Sequence, residues 1–119
     1  MTDRADYSQQ DYVLYGTIPD ISTAQEIEIP VPFTGEIIRY HVTLGGAISG
    51  ADADVSLKAN GTAVGNSTGT VPQSGSAAGD TVEVTPNRTL VRRGEYISLV
   101  TDGASTGTQE AQFAVVIRR

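Results

Sequence analysis

From Tyr12 to the end of the chain, apolar side chains recur at every second position in short runs, and Pro, Gly, Asn and Asp stand between the runs. A period of two places alternate residues on one face of an extended strand, whereas an amphipathic helix needs a period of 3.6. No ten-residue stretch of this sequence carries the helical period. The chain is therefore expected to fold from strands alone.

The runs can be followed in order. Tyr12 to Ile18 is rich in aromatic and β-branched residues and stops at Pro19-Asp20, a turn signal. Ile27, Ile29 and Val31 then alternate with Glu26, Glu28 and Pro30, a half-buried strand whose proline suits a sheet edge. In the longest run, Ile38, Tyr40, Val42 and Leu44 are expected on one face, and Ile37, Arg39, His41 and Thr43 on the other. Ala53, Val55, Leu57 and Ala59 alternate with polar residues up to Asn60-Gly61, a strong hairpin signal because both residues tolerate positive φ. Thr62 to Asn66 would be the return strand.

Residues 65–80 are mostly small and polar and read as a long connection, with a short strand around Thr70 to Gln73. Further strands are expected at Val82 and Val84, at Leu90 and Val91, and from Glu95 to Thr101. In a last strand Phe113, Val115 and Ile117 would face inward. About eight or nine short strands at this spacing imply an all-β, antiparallel two-sheet sandwich of the jelly-roll type.

A chain of 119 residues fits one domain. Residues 1–11 are polar without a period and read as a flexible arm, leaving 12–119 as the folded unit. The chain has no cysteine, so thiolate metal sites and cysteine nucleophiles are excluded. With a net charge of −6, it lacks the cationic surface that phosphate backbones or anionic membranes require. No apolar run approaches a membrane span, and the first ten residues show no signal-peptide core. Synthesis in a cytoplasm without a secretory signal is the corresponding expectation.

Chemistry is sparse. His41, the one histidine, sits mid-strand without the serine and acid of a nucleophilic triad nearby in sequence, and reads as a surface or interface residue. Asp52 and Asp54 share a strand face that calcium can use, but they lack the remaining ligands of a calcium loop and read as a solvated strand entry. Glu26 and Glu28 belong to an outer face rather than a cleft. The glycines of Gly75 to Asp80 lack the lysine of a phosphate-binding loop. Neither an enzyme nor a cofactor-binding protein is expected.

The unusual feature is strands that are apolar on both faces, since an antiparallel sandwich normally shows water one polar face. Val13 and Tyr15 in the first strand, Ile37 in the longest, and Ala114 and Val116 in the last make the outer side apolar. Loops folded over central strands would explain this. A contact with neighbouring subunits explains it more directly, and those five residues are the expected interface.

The segments Pro32 to Ile38, Leu44 to Ile48, Val55 to Val64, Gly75 to Asp80, Val91 to Leu99 and Thr101 to Ser105 occur in an order that resembles small jelly-roll proteins of tailed phages. These are loosely similar to the tumour-necrosis-factor and C1q-like sandwiches. The resemblance covers Val31 to Arg119 and implies a head decoration (cement) protein, or a head-fibre or tail-fibre domain, typically trimeric. It implies a place on the outside of the virion and the major capsid protein as partner, with no catalytic site, no metal and no cofactor. On that reading the arm, through Arg4, Tyr7, Gln10 and Asp11, would touch the capsid. A receptor- or carbohydrate-binding fibre module, or a fibre or baseplate subunit, is the competing implication.

Overall fold

The computed structural model describes residues 10–119, and Arg4 and Tyr7 lie outside them. The described residues form ten strands and no helix: β1 (Asp11–Ile18), β2 (Gln25–Pro30), β3 (Gly35–Leu44), β4 (Ala53–Ala59), β5 (Thr62–Ala63), β6 (Gly69–Val71), β7 (Thr81–Val84), β8 (Thr89–Val91), β9 (Tyr96–Thr101) and β10 (Ala111–Arg118). One antiparallel sheet runs β1-β10-β3-β7, with β8 also on β3. The other runs β2-β9-β4-β5, with β6 also on β4.

Four of these strands are fragments that combine in two pairs. β7 lies along Tyr40 to Thr43 of β3 and β8 along Gly35 to Ile37, so together they line one strand's length. In the same way β5 and β6 divide the length of β4. Counted so, the strands cross between the sheets in the double-Greek-key manner of a jelly roll. The long connection expected over 65–80 does contain a short strand, and the return strand after Asn60-Gly61 is cut to Thr62–Ala63. That hairpin turns through Asn60 and Gly61 at φ 52° and 82°, the conformation their side chains permit.

The core lies between the sheets. β10 supplies Phe113, Val115 and Ile117, β3 supplies Tyr40, Val42 and Leu44, and β4 and β9 oppose them with Val55, Leu57, Ile97 and Leu99. Tyr40 and Phe113 stack with ring centroids 5.8 Å apart. Tyr40 brings a hydroxyl into this apolar space and donates it to the carbonyls of Ser67 and Val55. Burial holds that phenol well above the usual tyrosine range. Gly16 on β1 marks a close approach of the sheets, where a Cβ would stand 2.5 Å from Leu99 Cδ1.

The structure corrects one inward–outward assignment. Val116 pairs with Arg39 but Ile117 pairs with Ile37, so Ile38 is the extra residue of a β-bulge. The bulge flips the phase of the strand. Ile37, expected outside, is fully buried in the core, and Ile38 lies outside the core cluster although it is 6% exposed. Ile37 is therefore unavailable as a subunit contact. Asp11, placed in the arm, opens β1 instead.

Candidate interaction face

The outer face of the first sheet is built in rows set by strand register. Val13, Val116 and Arg39 form one row, and Tyr15, Ala114, His41 and Glu83 the next. On one side Thr17, Gln112, Thr43 and Thr81 continue the face, and on the other stand Asp11, Arg118, Glu36 and Leu90. Val13, Tyr15 and Leu90 are exposed by 40%, 73% and 47%, while Val116 is exposed by only 6%. Val13, Tyr15, Ala114 and Val116 lie together on β1 and β10 with polar groups around them, and Leu90 stands apart beyond Glu36.

The surrounding charges pair with one another. Arg118 donates to both carboxylate oxygens of Asp11, at 2.9 and 3.2 Å, the bidentate geometry of a guanidinium fork. That hydrogen bond holds the Asp11 carboxyl below the usual carboxylate range. Arg88 reaches Glu36 at 3.4 Å. Glu83 receives Arg39 at 3.6 Å and lies 3.9 Å from His41 Nε2. Threonines and a glutamine close the remaining side through Thr17–Gln112 and Thr43–Thr81 hydrogen bonds. His41 is thus part of a charged margin.

Of the residues expected in an interface, the fold brings Val13, Tyr15, Ala114 and Val116 onto this one face. It adds Ile38 and Leu90, which sequence reasoning missed. No local signal marked Ile38, because the bulge exists only in the pairing of β3 with β10.

A second collection was also not legible in the sequence. Gly94 N–H donates to the Val31 carbonyl and Arg93 N–H to Thr34 Oγ1, while the Arg119 guanidinium stands 5.7 Å from the rings of both Tyr12 and Phe33. The Arg93 backbone and the Arg119 guanidinium, distant in sequence, therefore both come near residues 31–34. Gln10 is at the same end, accepting a hydrogen bond from Arg119 N–H. Asp20, Asp52, Asp54, Asp80, Asp102 and Glu110 lie in the connections or strand starts of the opposite end. There Asp52 and Asp54 are engaged by Gln73 N–H and the Thr70 hydroxyl. Among the described residues, no three His, Cys, Asp or Glu side chains are grouped to hold a metal ion.

A shallow cleft of about 240 Å³ opens between the Asn60 hairpin and β8, lined by Val64, Leu90, Arg92 and Glu95. Its carboxylate is already committed, because Glu95 accepts the Arg92 N–H at 2.7 Å.

No family model and no curated protein sequence matches the chain. Solved structures do. A chain from the acid-stable capsid of Helicobacter pylori bacteriophage KHP30 matches with TM-score 0.60 at 10% identity, over 93% of each chain. A chain of the cyanophage Pam1 capsid asymmetric unit matches with TM-score 0.61 at 17% identity, over 94% of this chain and 86% of that one. A CocE/NonD family hydrolase from Staphylococcus aureus matches with TM-score 0.50 at 12% identity, over 92% of this chain but 33% of the hydrolase. At such identities the likeness is one of fold.

Proposed function

We propose that this chain is a virion structural accessory protein, a decoration or cement subunit that binds the outside of a tailed-phage head as a homo-oligomer and stabilises it without catalysis. The observation that carries the reading is the end-to-end correspondence of fold with chains of two phage capsids. The third match corresponds only to a part of a larger enzyme. The apolar face of Val13, Tyr15, Ala114 and Val116 is the proposed subunit contact, its exposed area coming chiefly from Val13 and Tyr15. A trimer about a three-fold axis would match local capsid symmetry and combine several weak contacts.

In this reading the end that carries Gln10 and Arg119 meets the major capsid protein, through Arg4, Tyr7, Gln10 and Asp11. The competing reading, a glycan- or receptor-binding module, prefers exposed aromatic platforms in loops. Tyr12, Tyr15, Tyr40 and Tyr96 all lie in strands instead. The test is co-sedimentation with capsids of the phage whose genome carries the gene. Binding is expected, and deletion of Met1 to Gln10 should abolish it without unfolding the domain. Binding retained by the deletion would overturn the arm assignment. Failure to bind capsids, together with hits on a glycan array, would overturn the decoration reading.

A further inference from the structure

The edges of the two sheets differ in how they are protected. β2 bears Glu26 and Glu28 and ends in Pro30, while β5, β6, β7 and β8 are each four residues or fewer. β1 is eight residues long and contains no proline, lysine or bulge, the usual devices that keep an edge from pairing. It is an edge strand, paired on one side to β10.

Which backbone groups point away from β10 follows from the register. Arg119 N–H donates to the carbonyl of Gln10, directly opposite. In an antiparallel ladder such pairs alternate, so Tyr12, Leu14, Gly16 and Ile18 bond to β10. The N–H and C=O groups of Asp11, Val13, Tyr15 and Thr17 point outward. Among the described residues nothing bonds to them, and all four residues are exposed. The core is also thinnest on this side, with Leu14 of β1 and Ile27 and Ile29 of β2 only half-buried.

We propose that this edge pairs with β1 of a second copy, antiparallel across a two-fold axis, with Leu14 opposite Leu14. The segment is self-complementary in that register. Val13 of each copy faces Tyr15 of the other, a β-branched–aromatic pair on the outer face, and Tyr12 faces Gly16 on the inner face. Asp11 faces Thr17, so no like charges oppose. Four directly opposed pairs exchange roughly eight backbone hydrogen bonds. The two half-buried Leu14 side chains cover one another and continue the core from one sandwich into the next. Edge pairing runs in the plane of the sheet and uses backbone, so it does not depend on the capsid reading and coexists with packing on the outer face.

The chain's lack of cysteine allows a register-specific test. Leu14 falls in a non-hydrogen-bonded pair, where Cα atoms stand about 4.5 Å apart, within disulfide reach. Leu14→Cys is expected to form a covalent dimer on mild oxidation. Thr17→Cys should not, because its own counterpart would lie roughly 20 Å away along the strand. Adding Val13→Pro to Leu14→Cys removes an outward N–H and should abolish cross-linking, while Val13→Ala, which keeps it, should not. A folded Leu14→Cys that stays uncross-linked, equal cross-linking at Thr17→Cys, or cross-linking that survives Val13→Pro would each overturn the proposal. Should Leu14→Cys not fold, sedimentation of the Val13→Pro and Val13→Ala chains decides. Association lost only with proline supports the pairing, and equal association overturns it.

Discussion

The two sheets build the same core from opposite sides but present different outer faces. The second sheet follows the ordinary alternation: across β2, β9 and β4 its outer rows read Glu26-Val100-Ser56 and Glu28-Ser98-Lys58. The first sheet carries Val13, Tyr15, Ala114, Val116, Ile38 and Leu90 outward and moves its charges to the margin, where they pair among themselves. Water satisfies the first arrangement. The second leaves Val13, Tyr15 and Leu90 exposed to water, apolar area of the kind that a contact would cover. The contrast shows that the jelly roll sets the inner faces alike and leaves the outer ones to specialise.

The sharpest test of the division lies at two adjacent residues. Ile37 is fully buried within the core, and Ile38 is on the other side of the same strand. Ile37→Ala should cost about 2–5 kcal/mol of monomer stability, the usual loss for a core isoleucine. Ile38→Ala should cost less, mostly in the monomer because Ile38 is itself only 6% exposed, with a smaller part in association. Chemical denaturation of both variants, at low and high protein concentration, measures the two effects. Equal losses independent of concentration would erase the distinction between the faces.

The next effect is confined to the outer faces. Val13→Glu combined with Tyr15→Glu should weaken self-association by at least roughly tenfold, or about 1.4 kcal/mol. The melting temperature should then cease to depend on protein concentration. Glu28→Lys, a charge change on the second sheet, should leave association as it was. Sedimentation equilibrium reads both.

Alternation made the all-β class legible because burial on one side repeats every second residue whatever the partner strand. Asn60-Gly61 and Pro30 were legible for local reasons, a backbone that tolerates positive φ and a missing N–H. The Ile38 bulge was not, because it exists only in the register between β3 and β10, which are some seventy residues apart along the chain. Asp11 entered β1 for a similar reason: its partner Arg118 is supplied by a strand at the far end of the sequence. The approach of Arg93 and Arg119 to residues 31–34 likewise depends on contacts that no short stretch of sequence encodes.

Acid should act on the charged margin of the first face. Asp11 ionises below its ordinary value of 3.8, chiefly because Arg118 hydrogen-bonds its carboxylate. A depressed carboxylate contributes stability above its unfolded pKa and loses it as pH falls through the lower folded value. Asp11→Asn should therefore be less stable than the parent chain near neutrality, with the gap closing at acid pH below about 3.8. Thermal melts across that range check the sign. A gap that widens on acidification would contradict it.

The smallest effect belongs to the second face. Lys58 Nζ lies 2.8 Å from Glu26 Oε2, joining β4 to β2 across β9, with both side chains partly exposed at 33% and 41%. Such a pair gains little over hydrated charges, and ordering two long side chains offsets part of that gain. A double-mutant cycle of Lys58→Ala and Glu26→Ala should give a coupling of about 0.2–1 kcal/mol that shrinks with added salt. Because this face is already satisfied by water, neither single variant should change self-association. If breaking this pair alters assembly as much as the glutamates at Val13 and Tyr15 do, the second face is also an interface, and the asymmetry of the sandwich carries no functional meaning.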